Sequence, residues 1–83
     1  MSIAVVIPSF RVTDNILEVL ENIGPEVDRI YVIDDACPDK SGEFVKKHSK
    51  DKRVQVLFHE TNQGVGGAVV TGYKAALADN IDV

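Results

Sequence analysis

The sequence predicts an α/β domain, a parallel sheet built in the order βαβαβα and layered between helices. Three observations carry this reading. Three short apolar runs, Ile3–Ile7, Arg29–Ile33 and Val54–Phe58, alternate with three segments of helical pattern. The middle run, Arg29-Ile30-Tyr31-Val32-Ile33, is β-branched and aromatic without polar alternation, as in a strand buried on both faces. It runs straight into Asp34 and Asp35, which suits the C-terminal edge of an open α/β sheet, where ligands bind.

The elements follow in order. Ile3 to Ile7 reads as the first strand, stopped by Pro8. Thr13 is placed to cap a helix whose stripe is Ile16, Leu17, Leu20 and Ile23, and Gly24-Pro25 is its stop signal. Arg29 to Ile33 is the second strand. Ser41 or Asp39 is placed to cap a second helix running to about His48, with Phe44, Val45 and His48 as a weak apolar face. Val54 to Phe58 is the third strand, and a third helix spans Gly64 to Ala78. The first strand is expected at the centre of the sheet or next to it. The loops after Ile7, Ile33 and Phe58 then share one edge of the sheet, and that convergence predicts one binding site.

With 83 residues, positions 1–83 form a single domain. A chain of this size buries about 60% of its unfolded surface, so its core is modest. Asn80-Ile81-Asp82-Val83 reads as the approach to a fourth strand, and three parallel strands with open edges make a poor end state. The expectation is an N-terminal part of a longer protein, with pairing through an exposed sheet edge into a homo-oligomer. The net charge of −4 and pI near 4.9 argue against nucleic-acid or anionic-membrane surfaces. The apolar runs are far shorter than the roughly 20 residues that span a bilayer. The single cysteine, Cys37, has no partner for an internal disulfide, and Met1-Ser2 leads directly into a strand; both suit the cytoplasm.

Gly64-Val65-Gly66-Gly67 invites a phosphate-loop reading that fails on spacing. The dinucleotide fingerprint needs a sixth-position glycine after the first strand; here Val69 stands sixth, after the third. In the Walker pattern Gly72 would be followed by Lys, and Tyr73 stands there. What remains is a helix start with small residues Ala68, Gly72, Ala75 and Ala76 behind it, suited to close packing or to an anion at the N-terminus. For Asp34 and Asp35, a ligand role stands beside a capping role; Asp39 reads as a turn or cap residue. Arg11 suits a phosphate or a surface ion pair, and Phe10 suits base stacking or packing. His48 and His59 lack partners at metal-ligand spacing, and Cys37 has no nearby histidine to activate it. Lys46, Lys47, Lys50, Lys52 and Arg53 read as a solvated helix end.

Three blocks together resemble the family 2 glycosyltransferases, the inverting GT-A group that includes dolichyl-phosphate mannose synthase-like enzymes. Val6-Ile7-Pro8-Ser9-Phe10 is similar to the family's strand-end block. Tyr31 to Ser41, with Asp34-Asp35, is similar to its acidic block. Asn62-Gln63-Gly64-Val65-Gly66-Gly67-Ala68, with Gly72 and Ala76 behind it, is similar to its glycine block. The resemblance implies a Rossmann-like GT-A fold that binds the nucleotide of a UDP- or GDP-sugar. Pro8, Ser9 and Phe10 would line the base and ribose pocket, with Arg11 beside them. Asp34 or Asp35 would bond the base, and Asn62, Gly64 and Gly67 would shape the floor near the ribose and diphosphate.

Two departures stand out. Arg11-Val12 replaces the family's usual Asn-acid pair, with Asp14 as the nearest substitute, and Cys37-Pro38 replaces a small polar pair. The family's metal-binding Asp-x-Asp is expected beyond Val83, so Mg²⁺ or Mn²⁺ and the catalytic base would belong to the longer protein, membrane-associated on its cytoplasmic side. This stretch would then be inactive alone, with no catalytic or metal residue of its own. The rival reading is a non-catalytic nucleotide-binding or interaction module. A receiver-like domain is disfavoured, because its acidic pair should follow the first strand.

Overall fold

The computed structural model describes residues 2–9, 15–36, 38 and 40–81. Strands β1 (Ala4–Ser9), β2 (Arg29–Asp34) and β3 (Val54–Phe58) alternate with helices α1 (Ile16–Glu21), α2 (Ser41–His48) and α3 (Gly64–Ala78). The strands are parallel in the order β1-β2-β3, so β2 is central and β1 lies next to it. This is the expected α/β arrangement.

Strand alternation sorts the core into two layers. Val5, Ile7, Ile30, Val32, Val54 and Val56 point to the face covered by α1 and α2, against Ile16, Leu20 and Val45. Ala4, Val6, Tyr31, Ile33 and Leu57 point to the other face, against Ala68, Ala75 and Ala76 of α3. Ile30 to Ile33 are all fully buried, which is why that run lacks polar alternation.

The small residues of α3 bring its backbone close to β1. A Cβ on Gly72 would fall 2.3 Å from Val6 Cγ1. The far end of α3 is tied by Tyr31, whose buried hydroxyl donates to Asp79 Oδ2 at 2.5 Å. Burial, then that hydrogen bond, pushes the Tyr31 phenol up to about 12.

Several boundaries differ from expectation. Pro8 does not stop β1 but pairs with Ile33 inside it. Ile3 O and Ser9 O accept N–H groups from the β2 side, so alternation puts the hydrogen missing at Pro8 on the open edge. Helix α1 ends at Glu21, before Gly24-Pro25, and Asn15 is its N-cap; Thr13 lies outside the described residues. Ile23 still packs on the core from the following turn. Neither expected cap serves α2 in the described residues. Its N-cap is Lys40, Ser41 is already helical, and Asp39 lies outside them.

Arg53 is not part of a solvated cluster. Its guanidinium bonds Asp51 and the carbonyls of Ile23, Gly24 and Val27, closing the turn after α1. That carboxylate holds Arg53 above its usual value, and the Arg53 guanidinium holds Asp51 below its own.

Candidate functional site

The C-terminal ends of β1, β2 and β3 meet at one edge, where Ser9, Asp34 and Phe58 stand in register. Continuing the alternation of β2, Asp34 points to the α2 face and Asp35 to the α3 face. Each reaches a helix N-terminus. Asp34 Oδ2 accepts the Gly42 N–H of α2 at 2.9 Å. Asp35 Oδ1 accepts the Gln63 N–H at 2.7 Å, and Oδ2 accepts the Gly64 N–H of α3 at 2.8 Å. Two adjacent acids thus satisfy the first donors of two helices, which otherwise lack partners. They are 5% and 4% exposed, so both acids are buried at this edge.

Ser9 is fully buried, and its hydroxyl lies 2.5 Å from that of Ser41, tying β1 to the start of α2. Pro8 precedes it in β1. Asn62 stitches the third loop in place: Nδ2 donates to Asp35 O at 3.2 Å, and Oδ1 accepts the Gly64 N–H at 3.0 Å. Gly64 sits at φ +79, where a side chain would be strained, and a Cβ there would meet nothing within 4 Å. Gly67 is close-packed against Gln63, its virtual Cβ lying 2.6 Å from Gln63 Cβ. Ala36 and Lys40 bracket the second loop at φ 56 and 53, a conformation that costs a non-glycine residue about 1 kcal/mol or more.

His59 is the residue that sequence reasoning missed. Its backbone N–H donates to Asp34 O at 2.8 Å, extending the β3 ladder. Its ring bridges two elements, with Nδ1 2.8 Å from Asp35 Oδ1 and Nε2 2.7 Å from Thr71 Oγ1 on α3. An ionised carboxylate only accepts, so Nδ1 is the donor. The single hydroxyl hydrogen of Thr71 serves either His59 Nε2 or Gly67 O, which lies 3.1 Å away. The His59 bond first, then the Gln63 N–H, hold Asp35 below the usual carboxylate range against the opposing effect of burial. Nothing local in the sequence marks this contact, because His59 and Asp35 are 24 positions apart.

Pro8, Ser9, Asp34, Asp35, Asn62, Gly64 and Gly67 are therefore brought to one edge. Phe10, Arg11 and Asp14 lie outside the described residues. A concavity of about 280 Å³ lies at the opposite end, between Leu17, Leu20, His48 and Asp51. The polar convergence described above is not there.

The glycosyl transferase family 2 description matches residues 4–81, nearly the whole chain. The chain belongs to glycosyl transferase family 2. Its fold is that of the Rossmann-like N-terminal part of such a domain. An uncharacterized protein of Methanocaldococcus jannaschii is 42% identical over 76 residues, covering 90% of this chain and 30% of the relative. The undecaprenyl-phosphate mannosyltransferase of Micrococcus luteus is 32% identical over 87 residues, covering all of this chain and 35% of the relative. The dolichol-phosphate mannosyltransferase of Pyrococcus furiosus is 29% identical over 83 residues, covering 95% and 24%. The family 2 chain described here spans about a third or less of these relatives. No helix among its described residues is long and apolar enough to cross a membrane.

Proposed function

We propose that this chain forms the nucleotide-binding half-site of an inverting glycosyltransferase with a GT-A fold. The donor would be a UDP- or GDP-sugar. The observation that carries the reading is the convergence, within a family 2 domain, of Ser9, Asp34-Asp35 and Asn62–Gly67 at the C-terminal edge of a parallel sheet. Open α/β sheets bind ligands at this edge. Helices α2 and α3 both begin there, with Asp34 and Asp35 already on their first N–H groups. A carboxylate accepts about four hydrogen bonds, and three described donors reach Asp35, so one position on Oδ2 remains for a base N–H or a ribose hydroxyl.

The relatives' names point the acceptor towards a polyprenyl phosphate and the sugar towards mannose. In the whole protein, a phosphate oxygen of the acceptor would attack the anomeric carbon from the face opposite the leaving group. The new C–O bond forms as the bond to the nucleoside diphosphate breaks, and the diphosphate oxygen leaves with the electron pair. Among the described residues no three His, Cys, Asp or Glu side chains gather as a metal site. Asp34 and Asp35 face helix N-termini instead. These residues do not fit the Mg²⁺ or Mn²⁺ that the resemblance implies, and the role proposed for them is binding alone.

An NMR titration of the chain with UDP and with GDP, each with and without Mg²⁺, tests this. The expected result is weak, metal-independent binding, with shifts confined to Pro8-Ser9, Asp34–Ala36 and Asn62–Gly67. The nucleotide giving the larger shifts identifies the base. Absence of shifts at millimolar nucleotide, or shifts elsewhere, would overturn the half-site and favour the interaction-module reading.

A further inference from the structure

We propose that His59 is a positioning residue of the nucleotide site, acting through Asp35 by deciding which carboxylate oxygen is left open to the ligand. The inference rests on the nucleotide reading above. Oδ1 of Asp35 receives two donors, His59 Nδ1 at 2.8 Å and Gln63 N at 2.7 Å, whereas the described donors leave Oδ2 with Gly64 N alone from outside its own loop. With two acceptor positions on each oxygen, Oδ1 is filled and Oδ2 keeps one. Removing the imidazole would free a position on Oδ1 as well, on the side facing β3 and α3 rather than the ligand. The carboxylate could then rotate between equivalent arrangements.

The ring is itself fixed. Its side chain is 6% exposed, its backbone N–H is held by Asp34 O, and its far nitrogen is bonded to Thr71 on α3. A planar ring anchored at both nitrogens is a rigid spacer between β3 and α3. It holds Asp35 as an outer-shell partner holds a metal ligand, a role whose loss at metal sites typically weakens metal binding about 10- to 100-fold. Among the described residues, the groups facing Asp35 are His59, just after β3, the N–H of Gln63 at the N-cap of α3 and the N–H of Gly64 in its first turn, with Asp34 beside it in the chain.

Two substitutions separate positioning from packing. The amide nitrogen of His59→Asn falls near the place of Nδ1 and keeps a donor for Asp35. That of His59→Gln falls near Nε2 and keeps only the Thr71 side. Nucleotide titration of the full chain is expected to show affinity near that of the parent for H59N and about tenfold weaker for H59Q. The Asp35 carboxyl, followed by carbon-13 NMR against pH, should titrate at higher pH in H59Q than in H59N. Equal weakening in both variants, with both folded by circular dichroism, would reduce His59 to a packing residue and overturn the proposal.

If the parent chain binds neither UDP nor GDP, the nucleotide reading fails on its own, and with it the positioning role. The carboxyl titration then reports only whether the clamp on Asp35 exists. If H59Q does not fold, Thr71→Val releases the far side of the ring while keeping the Asp35 contact. Weakened nucleotide binding in that folded variant supports the proposal, and unchanged affinity overturns it.

Discussion

Asp34 and Asp35 are consecutive, yet their carboxylates act on opposite faces of the sheet, Asp34 on the Gly42 N–H of α2 and Asp35 on the Gly64 N–H of α3. The two-residue period of a strand makes this unavoidable once Asp34 ends β2 and Asp35 continues its alternation. One dipeptide thereby locks the start of a helix on each side, and the loops that carry those starts cannot shift independently of the central strand. Whatever binds at this edge meets a surface whose two halves share one anchor.

The Ser9–Ser41 pair gives the α2 half a second anchor, and its energetics are asymmetric. Both hydroxyls are fully buried and bond each other. Ser9→Ala leaves the Ser41 hydroxyl without its partner and is expected to cost about 1–3 kcal/mol. The double variant Ser9→Ala with Ser41→Ala removes the orphan, so its cost should fall well short of the sum of the singles. Urea unfolding of the four chains measures the coupling, and additive costs would show that the bond contributes nothing of its own.

Acid should loosen the α3 half. Asp35 and Asp51 are both held below the ordinary carboxylate value of 3.8, by His59 and Arg53 respectively. A depressed folded value stabilises the fold above the unfolded value, and that stability is lost as pH falls through the folded one. The urea midpoint should therefore hold at neutral pH and drop below about pH 4. Asp35→Asn places an amide nitrogen against backbone N–H donors. It should lower the midpoint at pH 7 and flatten its fall at low pH; a fall as steep as the parent's would assign the acid sensitivity elsewhere.

At the other end of α3, the Tyr31 phenol is raised from 10.0 to about 12 by burial and by its bond to Asp79. Here the sign reverses. A raised folded value gives stability that is complete below pH 10 and is lost as pH rises through about 12. Tyr31→Phe should cost about 1 kcal/mol at neutral pH for the lost hydrogen bond. It should also remove the alkaline loss in that window, read as urea midpoints at pH 8 and pH 11.

The architecture was legible because its signals are local or periodic. The apolar run of β2, the stripe of α1 and the glycine start of α3 each announce themselves within a few residues. The edge where the three loops meet followed from the order βαβαβα, and the placing of Asp34 and Asp35 at it followed too. What each carboxylate touches did not follow. The carboxylates on the first N–H groups of α2 and α3 come from the end of β2 and the residue after it, so a search for Ser, Thr or Asp beside α2 finds Ser41 and Asp39 instead. Alternation alone would have sent the two acids to different faces, had it been continued past Ile33. His59–Thr71 and Arg53 with its three carbonyls are long-range contacts made by residues whose types also suit solvent, and no spacing marks them.

Gly72 and Gly66 lie on one helix and should respond to alanine with opposite sign. Alanine in place of a helical glycine gains up to about 1 kcal/mol in propensity. At Gly66 a Cβ meets nothing within 4 Å and φ is not positive, so Gly66→Ala should realise most of that gain. At Gly72 the same methyl would stand 2.3 Å from Val6 Cγ1 and 2.7 Å from Cγ2, well inside contact distance. Overpacking of this kind costs about 1–3 kcal/mol, which exceeds the propensity gain, so Gly72→Ala should destabilise. The clash is with a side chain that can itself be trimmed. In a Val6→Ala background the Gly72→Ala change should become neutral or favourable, and thermal unfolding of the four chains tests that reversal. A Gly72→Ala penalty that survives Val6→Ala would place the obstacle in the β1 backbone, and α3 would then be held at its distance by the sheet itself.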